Sequence, residues 1–325
     1  MAKKIAILTS GGDAPGMNAA IRAVVRTAIY YNFQVFGIRR GFQGLIEDDI
    51  IELDNQTVAN IIQRGGTILK TARSKEFRSK EGRKLAFENL QKREIENLIV
   101  LGGDGSFAGA MQLQKEHNQL KVIGIPCTID KDICGTDYTI GFDTAVNTAV
   151  EAIDRIRDTA HAHDRLFIVE VMGRDAGYIA LHSGIACGAE EVLIPEKATD
   201  PNLIIEKIEK DKQRKKLVRI IVVAEGDDFG GGEIVQKLIE KNFPDIEPKA
   251  IVLGHIQRGG SPNYYDRWVA SHFGYYAIKY LLEGKKNFML GKVKQEWICT
   301  PMDAIKCKES NQNLESFEMV HILSS

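Results

Sequence analysis

The sequence lacks any apolar run approaching the ~20 residues of a membrane span. Its opening, "MAKKIAILTSGGD", has neither the apolar stretch nor the small-residue cleavage site of a signal peptide, and runs straight into a strand and a glycine turn. The five cysteines (Cys127, Cys134, Cys187, Cys299, Cys307) show neither CxxC nor zinc-finger spacing. That excludes a zinc ribbon, and an odd, scattered set is expected as reduced thiols in a cytoplasmic protein. Charge of one sign is not in excess either. With a formal net charge of −1, nothing calls for nucleic acid or an anionic membrane as partner. Repeats of fixed period and low-complexity linkers are missing.

What is present is an ordinary globular composition, 44% hydrophobic and 27% charged over 325 residues, enough for one large α/β unit or two lobes with ample core. "KIAIL", "QVFGI", "NLIVL", "KVIGI", "LFIVEVM", "EVLIP", "RIIVVA" and "AIVLG" are short, β-branched and almost continuously apolar. Strands of a parallel sheet covered on both faces read this way. Amphipathic stretches such as "MNAAIRAVVRTAIYY" and "VNTAVEAIDRIRDTA" lie between them. The alternation predicts a doubly wound α/β architecture. The charge run "KIEKDKQRKK", 207–216, reads as the solvated end of a helix. His161 and His163 read as an exposed helix end, and Trp268, Phe273, Tyr276 and Ile278 as core positions of one helix.

Ligands of open α/β sheets sit beyond the carboxyl ends of the strands, and five polar clusters fall there. "TSGGDAPGMNAAIR", 9–22, places Gly11 and Gly12 before a helix starting near Met17, where open amides favour phosphate. It matches neither GxGxxG nor a Walker loop. In "VLGGDGSFAGAM", 100–111, Gly103 and Gly105 would open the backbone to a polyphosphate, while Asp104 offers a hard oxygen to Mg²⁺. "IPCTIDKDICGTD", 125–137, adds Thr128, Asp130 and Asp132. If the segment is extended, the two aspartates face one way and Lys131 the other; one carboxylate would accept a hydroxyl proton while the other, with Asp104, holds metal. "VEVMGRDAGYIA", 169–180, carries Met172, Gly173 and Arg174, whose guanidinium would meet a phosphoryl group. "LGHIQRGGSPNYYDR", 253–267, carries His255 and Arg258 beside Gly259 and Gly260, a phosphate cradle with a bidentate donor; a helix start near Asp266 is the structural alternative.

Together these blocks closely resemble the bacterial ATP-dependent 6-phosphofructokinases, in order and over nearly the whole chain. The resemblance also takes in "RGGTILKTARSKEFR". It implies two Rossmann-like three-layer α/β lobes with mostly parallel sheets: a larger ATP-binding lobe of 1–141 plus 254–304, and a smaller sugar-phosphate lobe of 142–253 plus 305–325. It further implies a cytoplasmic homotetramer using ATP and Mg²⁺ to phosphorylate fructose 6-phosphate. Carried over by position, Gly12, Arg73, Gly103, Asp104, Gly105 and Ser106 would hold ATP, with Asp104 on Mg²⁺. Asp130 would be the base, assisted by Thr128 and Asp132, with Arg73 and Arg174 neutralising the phosphoryl group in flight. Met172, Gly173, Glu225, His255 and Arg258 would bind the sugar phosphate, joined by Arg165 and Lys249 of a neighbouring subunit. Arg22, Arg26, Arg157, Glu190, Arg214 and Lys216 match an ADP-type effector pocket.

Pyrophosphate-using relatives usually carry aspartate at the place of Gly105 and lysine at that of Cys127, so small residues at both favour ATP. Four positions depart from the family pattern. Lys131 replaces the asparagine of TIDND, and a cation there would depress the pKa of Asp130 and weaken it as a base; it is expected to point to solvent, with turnover surviving at an intact or reduced rate. Lys249 replaces an arginine, and Asn55 and Asn60 replace an arginine and an aspartate in the effector pocket, predicting weaker activation. A pyrophosphate-dependent enzyme and a non-catalytic nucleotide-binding paralogue are the competing readings.

Overall fold

The apolar runs named above become strands, and they fall into two sheets. In the computed structural model, which describes residues 3–163, 166–214, 219–305 and 314–324, the chain divides into two compact units. Unit 1 takes Met1–Ile129, Ile133–Thr144 and Arg258–Cys307; unit 2 takes Asp130–Asp132, Ala145–Gln257 and Lys308–Ser325. Arg165 and Lys216 lie outside the described residues.

Along the chain come β1 (Lys3–Thr9), α1 (Met17–Tyr30), β2 (Phe33–Ile38), α2 (Gly41–Ile46), β3 (Ile50–Leu53) and α3 (Lys80–Lys92). Next are β4 (Asn97–Gly102), α4 (Asp104–Glu116), β5 (Lys121–Pro126) and α5 (Phe142–His163). Unit 2 adds β6 (Leu166–Val171), α6 (Tyr178–Cys187), β7 (Glu191–Leu193), α7 (Pro201–Gln213), β8 (Arg219–Ala224), α8 (Gly232–Asn242) and β9 (Lys249–Val252). The chain then forms α9 (Tyr264–Leu282), β10 (Phe288–Val293), β11 (Glu296–Pro301) and α10 (Leu314–Leu323).

The sheet of unit 1 runs β11-β10-β5-β4-β1-β2-β3. Its centre is parallel, and its edge strands β3 and β11 pair antiparallel. Ala6 and Leu8 of β1 enter a core with Leu90 of α3 and Phe107 of α4. Ile5 and Ile7, pointing the other way by strand alternation, are equally buried, and α1 and α9 pack together in this unit. Burial on both faces is why these strands read as unbroken apolar runs. The sheet of unit 2 is β7-β8-β6-β9, all parallel, with α7 and α8 contributing Ile204, Ile208, Val235 and Ile239 to its core.

Helix starts follow the sequence. Ser79 caps α3 by accepting the Gly82 N–H (3.0 Å), Asp200 caps α7 ahead of Pro201, and Asn263 caps α9 through Asp266 N–H (2.9 Å). Asp266 itself turns to α5. It accepts the Gly141 and Thr144 N–H groups (2.8 Å each) and the Thr144 hydroxyl (2.5 Å). Burial outweighs these donors and pushes its carboxyl up to about 6.

Three expectations change. Trp268 is substantially exposed, whereas Phe273 and Ile278 are fully buried as predicted. The 207–216 run is not simply solvated: Lys207 pairs with Glu191 (3.3 Å) and Asp211 is buried near Arg219. Amphipathic α7 turns that edge of its charge run toward β7 and β8. Cys134 is disulfide-bonded rather than reduced, and its N–H donates to Ile305 O (2.9 Å). Cys127, Cys187 and Cys299 are free thiols.

Arg83 joins α3 to α4 through a two-pronged contact with Glu116 (2.9 and 2.7 Å). Its guanidinium holds the Glu116 carboxyl down at about 2. Glu116→Gln is expected to lower unfolding free energy at pH 7 by about 1–2 kcal/mol. Because the folded pKa lies below the ordinary 4.5, the parent's advantage is full above that pH and is lost as pH falls toward 2. Urea denaturation at pH 7 and pH 3 should show the difference shrink at the lower pH.

Candidate functional site

The carboxyl ends of β1, β4 and β5 finish in step, with Thr9 opposite Leu101 and Gly102 opposite Pro126. Ser10 N–H continues the ladder to Leu101 O and Cys127 N–H to Gly102 O, each at 2.9 Å. The loops holding Gly12, Gly103–Ser106 and Thr128 therefore leave the sheet side by side. α4 begins directly at Asp104, and its extended N-cap, Gly103, makes no side-chain capping bond. A methyl group built on Gly103 or Gly105 would meet nothing within 4 Å. Sterically open glycines at a helix start, with a carboxylate in the first turn, suit a polyphosphate carrying a hard cation. Among the described residues no cluster of three His, Cys, Asp or Glu side chains stands ready for a metal.

Arg258 reaches the first glycine loop. A methyl on Gly12 would lie 2.6 Å from its Nη1, which also donates a long bond to Asp13 O (3.4 Å). The two positions, assigned to different ligands by resemblance, are neighbours. Arg73 lies at the end of a loop whose root is firmly held. Asn18, buried on α1, donates to Arg64 O and Gly65 O (3.1 Å each) and accepts the Ile68 N–H (2.8 Å). Thr9 donates to Lys70 O (2.8 Å) and Ser261 to Gln63 O (2.7 Å). Asn18 carried no sequence signal beyond its place in "GMNAAIR". Cys127 is fully buried, and desolvation pushes its thiol well up, making it inert.

Unit 2 holds Asp130, Lys131 and Asp132. The chain is not extended here, because Lys131 has φ +57. The expected two-residue alternation fails at this left-handed turn, an uncommon conformation for lysine. The Lys131 ammonium does not simply point to solvent either: it lies over the Tyr178 ring, 5.3 Å from the centroid. Arg174 Nη1 stands 3.6 Å from Asp132 Oδ2.

β6 and β8 end together, Val171 opposite Ala224, with Glu225 N–H on Val171 O (2.9 Å). One oxygen of Glu225 accepts both the Gly173 N–H (3.3 Å) and the Arg174 N–H (2.7 Å). A side chain at Gly226 would collide with Arg174 O at 1.9 Å, so the Met172–Arg174 turn rests directly on backbone. Met172 N–H donates to Gln257 Oε1 (2.9 Å). Gln257 is completely buried between His255 and Arg258, which share one 3₁₀ turn, Gly254–Arg258. Lys249 opens β9 and is exposed.

Of the effector candidates, Arg22 and Arg26 sit one turn apart on α1 in unit 1, where burial and then the Arg26 charge lower the Arg22 pKa. Arg157 on α5 donates to Cys187 O and Gly188 O (2.6 and 3.0 Å), closing the end of α6. Glu190 Oε2 accepts the Ile220 N–H (2.5 Å), and Arg214 is the C-cap of α7. Asn55 and Asn60 lie in the turns after β3, Asn60 with φ +55.

The phosphofructokinase family profile matches residues 4–281. The chain belongs to the phosphofructokinase family. Among curated phosphofructokinases, an "ATP-dependent 6-phosphofructokinase" of Sulfurihydrogenibium sp. is 52% identical over 325 residues, 99% of each chain. "ATP-dependent 6-phosphofructokinase 1" of Thermus thermophilus is 53% identical over 300 residues, 92% of each. The solved phosphofructokinase of Saccharomyces cerevisiae superposes with a TM-score of 0.87 at 34% identity, covering 98% of this chain. This chain spans 46% of that yeast chain's length. A pyrophosphate-dependent phosphofructokinase from Nitrosospira multiformis shares the fold (TM-score 0.86) at 19% identity, over 100% of this chain and 91% of its own. Among the described residues no helix is long and apolar enough to cross a membrane.

Asn18→Ala removes a side chain that binds all three of Arg64, Gly65 and Ile68. Amide exchange at Ile68 is expected to speed up about tenfold or more, with about 1–3 kcal/mol lost from global stability. Hydrogen-exchange mass spectrometry on peptides covering 63–70 measures this.

Proposed function

We propose that this protein is an ATP-dependent 6-phosphofructokinase, passing the γ-phosphoryl group of ATP to the 1-hydroxyl of D-fructose 6-phosphate. The products are fructose 1,6-bisphosphate and ADP, a step of glycolysis. The observation that carries the choice of donor is the bare helix start at Gly103–Gly105, where a nucleotide has room and an aspartate at 105 would add a repelling charge. Half-identity over the full length of curated ATP-dependent relatives points the same way.

Unit 1 would bind ATP through Gly12, Arg73 and the amides of 103–106. Asp104 would hold Mg²⁺, which when bound withdraws charge from the phosphate oxygens. Asp130 would take the proton of the 1-hydroxyl as its oxygen attacks the γ-phosphorus, while the bond to the β-phosphate oxygen breaks and ADP leaves. Thr128 and Asp132 would orient the hydroxyl. Arg73 and Arg174 would face the charge on the moving group. Met172, Gly173, Glu225 and His255 would grip the sugar, and Arg258 would bind the 6-phosphate. Here Glu225 has a second task, since its carboxylate already holds the backbone of the Arg174 turn.

In a cytoplasmic homotetramer, Arg165 and Lys249 would reach the neighbouring subunit's sugar phosphate. Lys249 lacks the fork of an arginine, so weaker cooperativity follows. Arg22, Arg26, Arg157, Glu190, Arg214 and Lys216 would form the effector pocket. Asn55 and Asn60 would leave it with weak response to ADP.

A coupled assay with ATP and then pyrophosphate as donor tests the assignment. Turnover with ATP alone is expected; turnover with pyrophosphate, or with neither, would favour the competing phosphotransferase or the non-catalytic paralogue. Asp130→Asn should lower kcat by about 10²–10⁴ with little change in KM for the sugar. Gly105→Asp should lower kcat/KM for ATP about tenfold or more while leaving the folded state intact.

A further inference from the structure

We propose that Gln257 is a positioning residue for the sugar phosphate: its buried side-chain amide fixes the Met172–Arg174 turn against the turn that carries His255, so that both meet one substrate together. The inference rests on the fructose 6-phosphate reading of those two turns. It adds to them a residue that touches no ligand itself.

Gln257 and Met172 both belong to unit 2. β6 ends at Val171, and its ladder to β9 closes with Leu253 N–H on Glu170 O (3.0 Å). In a regular parallel ladder the next donor on that edge, Met172 N–H, would find a carbonyl of the neighbouring strand. Here the neighbouring chain leaves the sheet at Gly254, with φ +54, and coils into the 3₁₀ turn Gly254–Arg258. Gln257 Oε1 accepts the Met172 N–H instead (2.9 Å). One oxygen of Glu225 accepts the Gly173 and Arg174 N–H groups that follow (3.3 and 2.7 Å). Three consecutive backbone donors are thus held by two side chains. Glu225 is itself a sugar contact in the proposed function, whereas Gln257 is completely buried and serves the backbone alone.

Folding does not account for that burial. The other end of the amide, Nε2, makes no hydrogen bond among the described residues, and a buried donor without a partner opposes folding. An apolar side chain of the same length would avoid that cost. What only the amide supplies is an acceptor at a set reach from residue 257, two positions after His255. Gly173 and Arg174, with φ of +153 and +56, continue directly from Met172. Uncommon conformations persist only where the surroundings hold them, so a displaced Met172 would carry both with it.

Variants of the full-length protein test this. Gln257→Met keeps the length and loses the acceptor; Gln257→Asn keeps the amide one carbon short; Gln257→Glu keeps an oxygen that can accept the Met172 N–H in either protonation state. In the coupled ATP assay, Gln257→Met and Gln257→Asn should each lower kcat/KM for fructose 6-phosphate about tenfold or more, with KM for ATP changing less than about twofold. Gln257→Glu should recover most of the loss. Hydrogen exchange in peptides covering 168–174 should quicken in the first two variants and return toward the parent in the third. If the methionine variant does not fold, the asparagine variant carries the same expectation. A loss shared equally between sugar and ATP, or an unchanged kcat/KM for the sugar in either folded variant, overturns the proposal. A parent that turns over no fructose 6-phosphate with ATP marks the failure of the functional reading itself, and the proposal falls with it.

Discussion

The register of the parallel strands is the constraint from which the candidate chemistry follows. β1, β4 and β5 stop at one level, and so do β6 and β8. A slip of one residue in such a strand would exchange its two packed faces and lose the fit of each against its neighbours. Full burial of both faces therefore fixes where each loop begins. The glycine loops of unit 1 and the Met172–Arg174 and Glu225 pair of unit 2 inherit their positions from that register rather than from contacts among themselves.

On top of this frame, a few side chains commit their polar atoms to backbone. Asn18 holds the root of the loop that ends in Arg73, Gln257 holds Met172, and Glu225 holds the turn carrying Arg174. Such bonds replace what regular secondary structure would supply in loops that must stay irregular. They also explain how a non-glycine residue such as Arg174, with φ +56, persists in an uncommon conformation: the surrounding bonds over-determine it.

Much of this was legible beforehand. The eight runs read as strands all carry strands; for most of them burial on both faces writes an unbroken apolar signal, while β9 is largely unburied. β3, β10 and β11 were not recognised: β3 and β11 are partly exposed strands at the sheet edges, where the signal is diluted, and the short buried run of β10 is broken by Gly291 and Lys292. The glycine and aspartate loops were found since their residue types are restrictive. Asn18, Gln257 and Tyr178 were missed because their partners lie 46, 85 and 47 residues away in sequence, and no local pattern encodes a distant contact. The alternation expected of Asp130 and Asp132 failed for a related reason: a lysine gives no hint that it will adopt a left-handed backbone.

The naked helix start at Gly103 and Gly105 has a consequence for how this chain responds to mutation. Neither position has a positive φ, and neither hydrogen faces a neighbour. The demands of folding alone would admit alanine or serine at both. On the proposed ATP-binding reading, glycine there would serve a ligand that occupies the space only part of the time, and surveys of expression or thermal tolerance would then pass over both residues.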